Sequence, residues 1–474
     1  MRHVCIVLAG LAALCFLEWG HIPKGPYLYD EADYMFAASQ GYWANASDTP
    51  TQPIGEFFGT GLSRGRDPGQ RAALSELIRA NNDVLFYRHW HGPVYSYWLM
   101  ATGRWKDSES TMRRLTVVFN AATFLAIYCG CLWLWPGEKG RTAAVLASSL
   151  YLFSVSNLSA STDLAPHGVF VLCAVTSLFF TAKMFSNDEL KYACPAMFAA
   201  GVAFCCLELA FVILLTFVIV FVWNRWREKS LTSVLISALA LACGVAVAWP
   251  GAVFKLSFVK AYAFMVYLAF FRHSPWGNTG LSQAWQDRVL SSPAEWLLIA
   301  GALALYFSLL RTHKVERRAI FPFVMYSLLM MIVLIHVTAD VPRYLLPYVP
   351  VLDIFAGLTL AVALQKAGAR LRIASVAGIC VLLFGTAAWK LNARPAAMAS
   401  RGAAILVLLH DKGVSGESLL VPQTDLPMIH YYFPKTKLRG YADPAEMRAD
   451  LATGSYAGVL YADLPVRFDK TGER

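Results

Sequence analysis

Charged residues are scarce in this sequence: they make up 15% of its 474 residues, against 57% hydrophobic residues, and the mean hydropathy is +0.47. A single soluble core could not bury so much apolar surface, so the composition excludes a soluble globular protein and indicates a polytopic membrane protein. A helix needs roughly 20 apolar residues to span the hydrocarbon layer. We therefore predict a mainly α-helical membrane bundle with about eleven spans, at 4–20, 113–134, 142–160, 164–183, 193–207, 209–223, 232–250, 294–311, 319–337, 345–363 and 372–389. The region 193–223 is one span or two, because only Glu208 marks a turn within it.

Cysteine is missing from the predicted external loops. All ten cysteines lie in or beside apolar spans, so we predict no disulfide framework, and buried cysteine acts as a small hydrophobic residue. Metal-binding motifs are missing too, since the sequence has no His-Glu-x-x-His pattern and no cysteine cluster. We predict no cofactor, with one alternative left open: a divalent cation held between an acidic side chain and a phosphate.

The basic residues do not form a nucleic-acid surface, although the net charge is +10. They lie in alternate short loops, at residues 139–141, 183–191, 225–229, 311–318 and 366–372. An excess of Lys and Arg marks cytoplasmic loops. We therefore predict contact with membrane lipids and not with nucleic acid, a cytoplasmic N-terminus and an external C-terminus. Residues 4–17 resemble a signal-peptide core, but no small-x-small cleavage pattern follows, so we interpret them as an uncleaved anchor.

Three predicted external segments are too long to be simple connections. The first, 21–112, contains a carboxylate pair and a stretch near 70–82 whose apolar residues share one helical face, as in a helix that lies in the membrane interface. The second, 251–293, contains a loop of aromatic and basic residues, and the third, from 391 onward, alternates helical and β patterns. We predict a transmembrane domain at 1–390 and a small soluble external α/β domain at 391–474.

Ionisable residues recur at one predicted membrane face. In chain order they are Asp30 and Glu31, His89 and His91, Asp163, and Arg343. Ionisable side chains at membrane depth are costly and usually line an aqueous or substrate cavity. Taken singly, each has a simpler interpretation: a solvated loop for the acidic residues, interface anchors for the histidines, and contact with lipid headgroups for the arginine. Their occurrence together on one face favours a substrate site.

Five short segments of the sequence together resemble the motifs of a known family. They are "YDEADY" at 29–34, "HGPVYSYWL" at 91–99, "RLTVVFNAATFLAIY" at 114–128, "TDLAPHGVFVLCAVTSLFF" at 162–180 and "PRYLLPYVPVL" at 342–352. The five are similar, in this order, to the acidic, His/Lys-Pro-Pro-Leu-x-Tyr-Trp, Arg-Leu, Asp-headed and Arg-Tyr-x-x-Pro-x-x-Pro motifs of the GT-C glycosyltransferases, in the superfamily of protein mannosyltransferases and lipid A aminoarabinose transferases. Two positions depart from the family pattern: Gly92 replaces the first proline of the second motif, and "CLELA" at 206–210 replaces a Thr-Lys.

The resemblance implies transfer of a sugar from a polyprenyl phosphate to an acceptor hydroxyl, with inversion at the anomeric carbon. Because the phosphate is a good leaving group, the reaction needs a carboxylate to accept a proton and cations to hold the phosphate. We predict Asp30 as the general base, Glu31 as the residue that positions the acceptor or supports Asp30, and Asp163 as a further acidic residue for acceptor or sugar binding. The predicted phosphate-binding residues are His91, Arg343, Tyr344, Arg272 and His273, and the predicted residues of the substrate cavity are His89, Pro93, Tyr97 and Trp98.

Other functions remain as alternatives. A lipid or glycan transporter or flippase would explain the spans and a polar cavity without bond breaking, but such proteins often consist of two related halves with broken helices, which the sequence lacks. A non-catalytic scaffold would leave the carboxylate pair unexplained. Within the enzyme class the acceptor is lipid A or a core sugar, another envelope glycan, or a protein hydroxyl. The small tail domain favours an envelope glycan and a location in the bacterial inner membrane.

Overall fold

The structure of the chain, a computed structural model, contains a helical bundle and a smaller C-terminal α/β unit. The described residues are 2–19, 22, 25–28, 30–40, 92–102, 108–160, 164–225, 231–250, 292–309, 313–336, 345–392, 397–422, 424–441, 443–462 and 466–470. The predicted interfacial helix near 70–82 lies outside these residues.

Helices account for all of the regular structure before the C-terminal unit in the described part of the chain. They are α1 (Arg2–Trp19), α2 (Asp30–Gln40), α3 (Val94–Thr102), α4 (Glu109–Leu134), α5 (Glu138–Phe153), α6 (Val155–Ala160), α7 (His167–Asn187), α8 (Ala193–Phe204), α9 (Ala210–Arg225), α10 (Leu231–Ala248), α11 (Pro293–Leu309), α12 (Lys314–His336), α13 (Val349–Ala363) and α14 (Ala369–Asn392). Short 3-10 turns at Leu190–Tyr192 and Leu364–Lys366 precede α8 and follow α13.

Ten of the eleven predicted spans each overlap one helix. By length and composition, α4, α7, α10, α12, α13 and α14 can cross a membrane, and α1, α8, α9 and α11 are shorter apolar helices. The remaining predicted span, 142–160, corresponds to α5 and α6, which are separated at Ser154. The region 193–223 consists of two helices, α8 and α9, with a turn at 205–209 between them. The chain is thus a multi-pass membrane protein, while the number of crossings stays a prediction.

Glycine allows neighbouring helices to approach closely at two places in the bundle. Helix α5 packs along α13, where a Cβ on Gly357 would lie 2.4 Å from the Cα of Ala147. Helix α8 packs along α10, where a Cβ on Gly201 would lie 2.4 Å from the carbonyl oxygen of Leu241. Small residues of this kind let membrane helices gain van der Waals contact between their backbones.

Polar contacts join the loops that the charge pattern predicts to be cytoplasmic. The Lys139 ammonium lies 2.5 Å from Oε1 of Glu316, and the Arg372 guanidinium forms an ion pair with Glu138. These residues come from three different predicted cytoplasmic loops. The three loops therefore lie together at one end of the bundle, as the charge pattern requires, and the side of the membrane on which this end lies stays a prediction.

The described residues between 397 and 470 form an α/β unit. Its elements are α15 (Ala397–Asp411), β1 (Ser418–Pro422), α16 (Leu426–Tyr432), β2 (Lys437–Tyr441), α17 (Pro444–Thr453), β3 (Gly458–Leu460) and β4 (Phe468–Lys470). The strand order is β2-β1-β3-β4. Strand β1 is parallel to β2 and β3, and β4 is antiparallel to β3. Helical and β patterns thus alternate as predicted, whereas the domain boundary near 390 stays a prediction because α14 continues to Asn392.

The predicted orientation can be tested by cysteine labelling. Ala452 in α17 is exposed, and Gly368 is exposed with open space for a Cβ. In spheroplasts that express a background without reactive native cysteines, Ala452→Cys is expected to react with a membrane-impermeant thiol reagent. Gly368→Cys is expected to react only after permeabilisation, because basic loops face the cytoplasm. Labelling of Gly368→Cys in intact spheroplasts would show that the predicted orientation is wrong and that this loop faces outward.

Candidate active site

The N-terminus of α2 carries the predicted carboxylate pair. Asp30 is the first residue of this helix, and Glu31 is only 7% exposed. Arg113 donates two hydrogen bonds to Glu31, from Nε to Oε1 at 3.0 Å and from Nη2 to Oε2 at 2.5 Å. The N–H of Leu164 donates to Oε1 at 3.1 Å, and the N–H of Leu28 donates to Oε2 at 3.4 Å. Glu31 therefore joins α2 to the start of α4 and to the segment before α7.

These contacts bear on the two roles predicted for Glu31. An ionised carboxylate offers about four acceptor sites, and four donors from the described residues already contact this one. These donors take up most of the acceptor capacity of the Glu31 carboxylate. The contacts therefore favour support of the helix that carries Asp30 over direct positioning of the acceptor. The side chain of Asp30 lies outside the described residues.

Sequence reasoning missed Arg113. This residue is 2% exposed, and besides the salt bridge its guanidinium donates hydrogen bonds to the carbonyl oxygens of Gly25 at 2.7 Å and Pro26 at 2.9 Å. The Arg-Leu motif begins one residue later, at Arg114, whose guanidinium lies over the Trp19 ring at 4.8 Å. The sequence did contain a signal for this salt bridge: two adjacent arginines begin a predicted span, and the external segment before that span contains the acidic motif.

Helix α3 covers part of α2 and α4. Tyr34 lies one turn after Asp30, on the same face of α2, and its ring contacts that of Tyr95 edge to face, with centroids 5.6 Å apart. Trp98, a predicted cavity residue, packs against Phe119 of α4 at 4.9 Å. The second motif is thus placed beside the helical face on which the acidic motif begins.

Two more predicted cavity residues belong to the same segment. Pro93 is buried, and its carbonyl oxygen accepts a hydrogen bond from the N–H of Tyr97 at 2.8 Å. Burial, with a further contribution from Cys205, raises the pKa of Tyr97 to about 12. The phenol is therefore protonated at neutral pH and is a potential hydrogen-bond donor to a sugar or phosphate oxygen.

The two departures from the family pattern lie next to each other. A Cβ on Gly92 would lie 2.0 Å from the carbonyl oxygen of Cys205. The same oxygen accepts a hydrogen bond from the N–H of Val94 at 3.4 Å. Cys205 begins the turn between α8 and α9, directly before the "CLELA" segment. This turn therefore holds the start of α3, and a side chain at position 92 would collide with it.

Gly92→Ala is expected to displace α3 and to lower the thermal unfolding midpoint of the purified protein. Overpacking of this kind costs about 1–3 kcal/mol, and rotation of a side chain cannot relieve a clash with backbone atoms. Gly301→Ala in α11 is the control, because a Cβ there would meet nothing within 4 Å. Equal midpoints for the two variants in detergent would show that the contact at Gly92 is not tight.

A second group of buried polar side chains lies around the segment between α5 and α7. Oγ of Ser154 donates to Oε1 of Glu295 at 2.7 Å, and Nδ2 of Asn157 donates to Oδ2 of Asp353 at 3.3 Å. Both carboxyl groups are buried, and they anchor the start of a segment whose other end contacts Glu31. Sequence reasoning missed both acids, although an acidic residue inside an apolar span is a recognised signal.

Many predicted site residues lie outside the described residues. They are His89, His91, Asp163, Arg272, His273, Arg343 and Tyr344. Leu164 directly follows Asp163 in the sequence, and its contact with Glu31 is described above. Of the predicted site residues that the structure describes, Glu31 lies on α2, Pro93 lies just before α3, and Tyr97 and Trp98 lie on α3. The two helices contact each other. In the part of the chain that the structure describes, no three His, Cys, Asp or Glu side chains are grouped to hold a metal ion.

Comparisons with known proteins give one partial sequence match and several similar folds. Residues 91–254 match the family model of the dolichyl-phosphate-mannose-protein mannosyltransferases, whereas no curated protein matches the sequence. ArnT from Cupriavidus metallidurans bound to undecaprenyl phosphate aligns with a TM-score of 0.59 at 13% identity, over 95% of this chain and 88% of that one. Its apo form aligns with a TM-score of 0.58 at 12% identity, over 95% and 89%. The oligosaccharyltransferase of Archaeoglobus fulgidus, tethered to an acceptor peptide, aligns with a TM-score of 0.53 at 10% identity, over 94% of this chain and 64% of that one.

These matches agree with the resemblance that the motifs indicated. The family model begins at His91, within the second motif, and the structural alignments extend the likeness to nearly the whole chain. The likeness of this chain to the GT-C glycosyltransferases is therefore confirmed. At 10–13% identity the solved structures show a shared fold.

Proposed function

We propose that this chain, with its GT-C glycosyltransferase fold, transfers a sugar from a polyprenyl phosphate to an acceptor hydroxyl at the external, periplasmic face of the membrane. In its crystal structure ArnT from Cupriavidus metallidurans is bound to undecaprenyl phosphate. The proposal gives this chain a donor of the same class, with the lipid phosphate as the leaving group.

The arrangement around Glu31 is the observation that carries the proposal. Arg113 and two backbone N–H groups occupy the Glu31 carboxylate. Glu31 thereby fixes the first turn of α2, which leaves Asp30 as the carboxylate of the pair for proton transfer. A general base must be held within reach of the proton that it accepts. A fixed turn with one structural and one catalytic carboxylate meets this requirement.

In the proposed reaction the acceptor oxygen forms a bond to the anomeric carbon while the sugar–phosphate bond breaks. The acceptor proton passes to Asp30, and the polyprenyl phosphate departs with the bonding electrons. A single displacement of this kind inverts the anomeric configuration. Cationic side chains stabilise the phosphate charge, and the proposed ones are His91, Arg343, Arg272 and His273, with the hydroxyl of Tyr344 beside them.

The proposed acceptor is an envelope glycan, such as lipid A or its core sugars, and the proposed location is the bacterial inner membrane. The likeness to ArnT and the compact C-terminal unit support this choice. A protein hydroxyl is the other acceptor class within the enzyme hypothesis. Transport of a lipid or glycan without bond breaking remains the alternative function.

Mass spectrometry of envelope lipids and glycans from cells with and without the gene tests the proposal and identifies sugar and acceptor together. Loss of one sugar modification and accumulation of a polyprenyl-phosphate sugar are expected in the deletion strain. The wild-type gene should restore the modification, and the Asp30→Asn gene should not. Full restoration by the Asp30→Asn gene would contradict the proposed chemistry.

A further inference from the structure

The C-terminal α/β unit is docked on the segment that leads into α2. Helix α16 packs against α2, and the ring of His430 lies 4.4 Å from that of Phe36, centroid to centroid. Gly402 of α15 is so close to this segment that a Cβ there would lie 2.6 Å from Cδ2 of Leu28. Two helices of the unit therefore contact the region of the carboxylate pair.

Tyr432, the last residue of α16, makes hydrogen bonds across this interface. Its hydroxyl accepts a hydrogen bond from the N–H of Tyr27 at 3.0 Å and donates one to Oε1 of Glu109 at 2.7 Å. Glu109 is the first residue of α4. One hydroxyl thus joins three parts of the molecule: the C-terminal unit, the segment before α2, and the start of α4.

The protonation state of Tyr432 suits both hydrogen bonds. Burial raises the pKa of this phenol well above its usual value, and the hydrogen bond to Glu109 raises it further. The phenol therefore stays protonated across the physiological pH range. It can donate to the carboxylate and accept from the peptide N–H at the same time.

The segment held by Tyr432 also contacts the Arg113–Glu31 pair. The Arg113 guanidinium lies over the Tyr27 ring, 5.5 Å from its centroid. Arg113 also donates hydrogen bonds to the carbonyl oxygens of the two residues before Tyr27. The path from Tyr432 to Glu31 therefore runs through Tyr27 and Arg113, and each residue contacts the next.

We propose that Tyr432 is a positioning residue for the transfer reaction: its hydroxyl holds the segment before α2, and with it the helical turn of Asp30 and Glu31, in the geometry that the reaction requires. This inference rests on the proposed function. It makes the C-terminal unit a part of the catalytic apparatus, because one of its side chains fixes the turn that carries the proposed base.

Tyr432→Phe tests the proposal because it removes this hydroxyl and keeps the ring. With purified protein in nanodiscs, kcat is expected to fall roughly ten- to hundred-fold, the effect of a small misplacement of a catalytic group. The KM for the polyprenyl-phosphate sugar should stay unchanged, since the proposed phosphate contacts lie elsewhere. Hydrogen exchange at the Tyr27 amide should become faster, because this N–H loses its acceptor.

Tyr431→Phe is the matched control. Its ring packs on Tyr27, with centroids 5.3 Å apart, and no hydrogen bond from its hydroxyl is present among the described residues. This variant should keep the wild-type kcat and the wild-type exchange. Glu109→Gln keeps an acceptor oxygen and should retain most activity, whereas Glu109→Ala should lower kcat as Tyr432→Phe does. The double variant Tyr432→Phe/Glu109→Ala should be no slower than either single variant, because both remove one interaction.

The proposal is overturned if Tyr432→Phe keeps the wild-type kcat, or if Tyr431→Phe loses as much activity as Tyr432→Phe. Unchanged exchange at the Tyr27 amide in Tyr432→Phe would overturn it as well. A wild-type protein that transfers no sugar would refute the proposed function, and with it the catalytic role of Tyr432. The exchange measurement separates the two failures, because it detects the Tyr432–Tyr27 contact without any turnover.

Discussion

Asp30→Asn is expected to lower the rate of sugar transfer by roughly 10²–10⁴-fold, the usual contribution of a general base. Asparagine keeps the size and hydrogen-bonding capacity of the side chain but cannot take the acceptor proton. Binding of the donor should change little, because other residues are proposed to hold the phosphate. The measurement is transfer of a labelled sugar from polyprenyl phosphate by purified variants in nanodiscs.

Two neighbouring substitutions serve as controls for Asp30→Asn. Asp33→Asn should be tolerated, because at 100° per residue Asp33 lies about 300° round the helix from Asp30. Glu31→Gln should have an intermediate effect, since it weakens the contact with Arg113 without removing the proposed base. If Asp30→Asn keeps the wild-type rate and Glu31→Gln is inactive, then Glu31 is the base and Asp30 is the supporting residue. Activity in both would show that the pair is not the catalytic centre.

Arg113→Ala is expected to destabilise the folded protein by about 3–5 kcal/mol, because it leaves the Glu31 carboxylate buried without its cationic partner. Arg113 and Glu31 are only 2% and 7% exposed. Water therefore cannot replace the lost contacts. Transfer activity should fall as well, because the first turn of α2 loses its attachment to α4. The measurement is the thermal unfolding midpoint in detergent, followed by the transfer assay.

Arg114→Ala is the matched control for Arg113→Ala. It removes the same charge one residue further on, where the guanidinium stacks on Trp19 and forms no salt bridge within the described part of the chain. A cation–π contact contributes about 0.5–2 kcal/mol. Glu31→Gln in the Arg113→Ala background should recover part of the lost stability, because position 31 then carries no buried charge. Equal losses for Arg113→Ala and Arg114→Ala, or no recovery in the double variant, would mean that the buried ion pair does not hold α2.

The helical bundle could be predicted because the spans are long apolar runs and the basic residues alternate between loops. The same pattern predicted which loops lie together, as the Lys139–Glu316 contact shows. The docking of the C-terminal unit could not be predicted. Tyr27 and Tyr432 are 405 positions apart, and no local pattern indicates that one tyrosine hydroxyl accepts from the peptide N–H of another.

The candidate site was predictable only in part. Carboxylates are conspicuous in a sequence with few charges, so the pair at Asp30 and Glu31 could be found. Which arginine binds Glu31 depends on packing, which the sequence does not show. Arg113 and Arg114 are adjacent, and the Arg-Leu motif of the family begins at Arg114, whereas Arg113 forms the salt bridge. The sequence showed that Gly92 departs from the family pattern but not why: in the structure the start of α3 lies so close to the turn at Cys205 that there is no room for a Cβ at position 92.

Release of the lipid phosphate shows most directly whether this chain breaks a sugar–phosphate bond, as proposed. Purified protein in nanodiscs would be incubated with a polyprenyl-phosphate-linked sugar that carries the label in the sugar. An extract of envelope lipids and glycans would serve as the acceptor. We expect the label to appear on an acceptor while polyprenyl phosphate is released in equal amount, and Asp30→Asn to slow both by roughly 10²–10⁴-fold. Label that stays wholly on the polyprenyl lipid, in the presence of folded protein that binds this lipid, would contradict the proposed transfer reaction and favour transport without bond breaking.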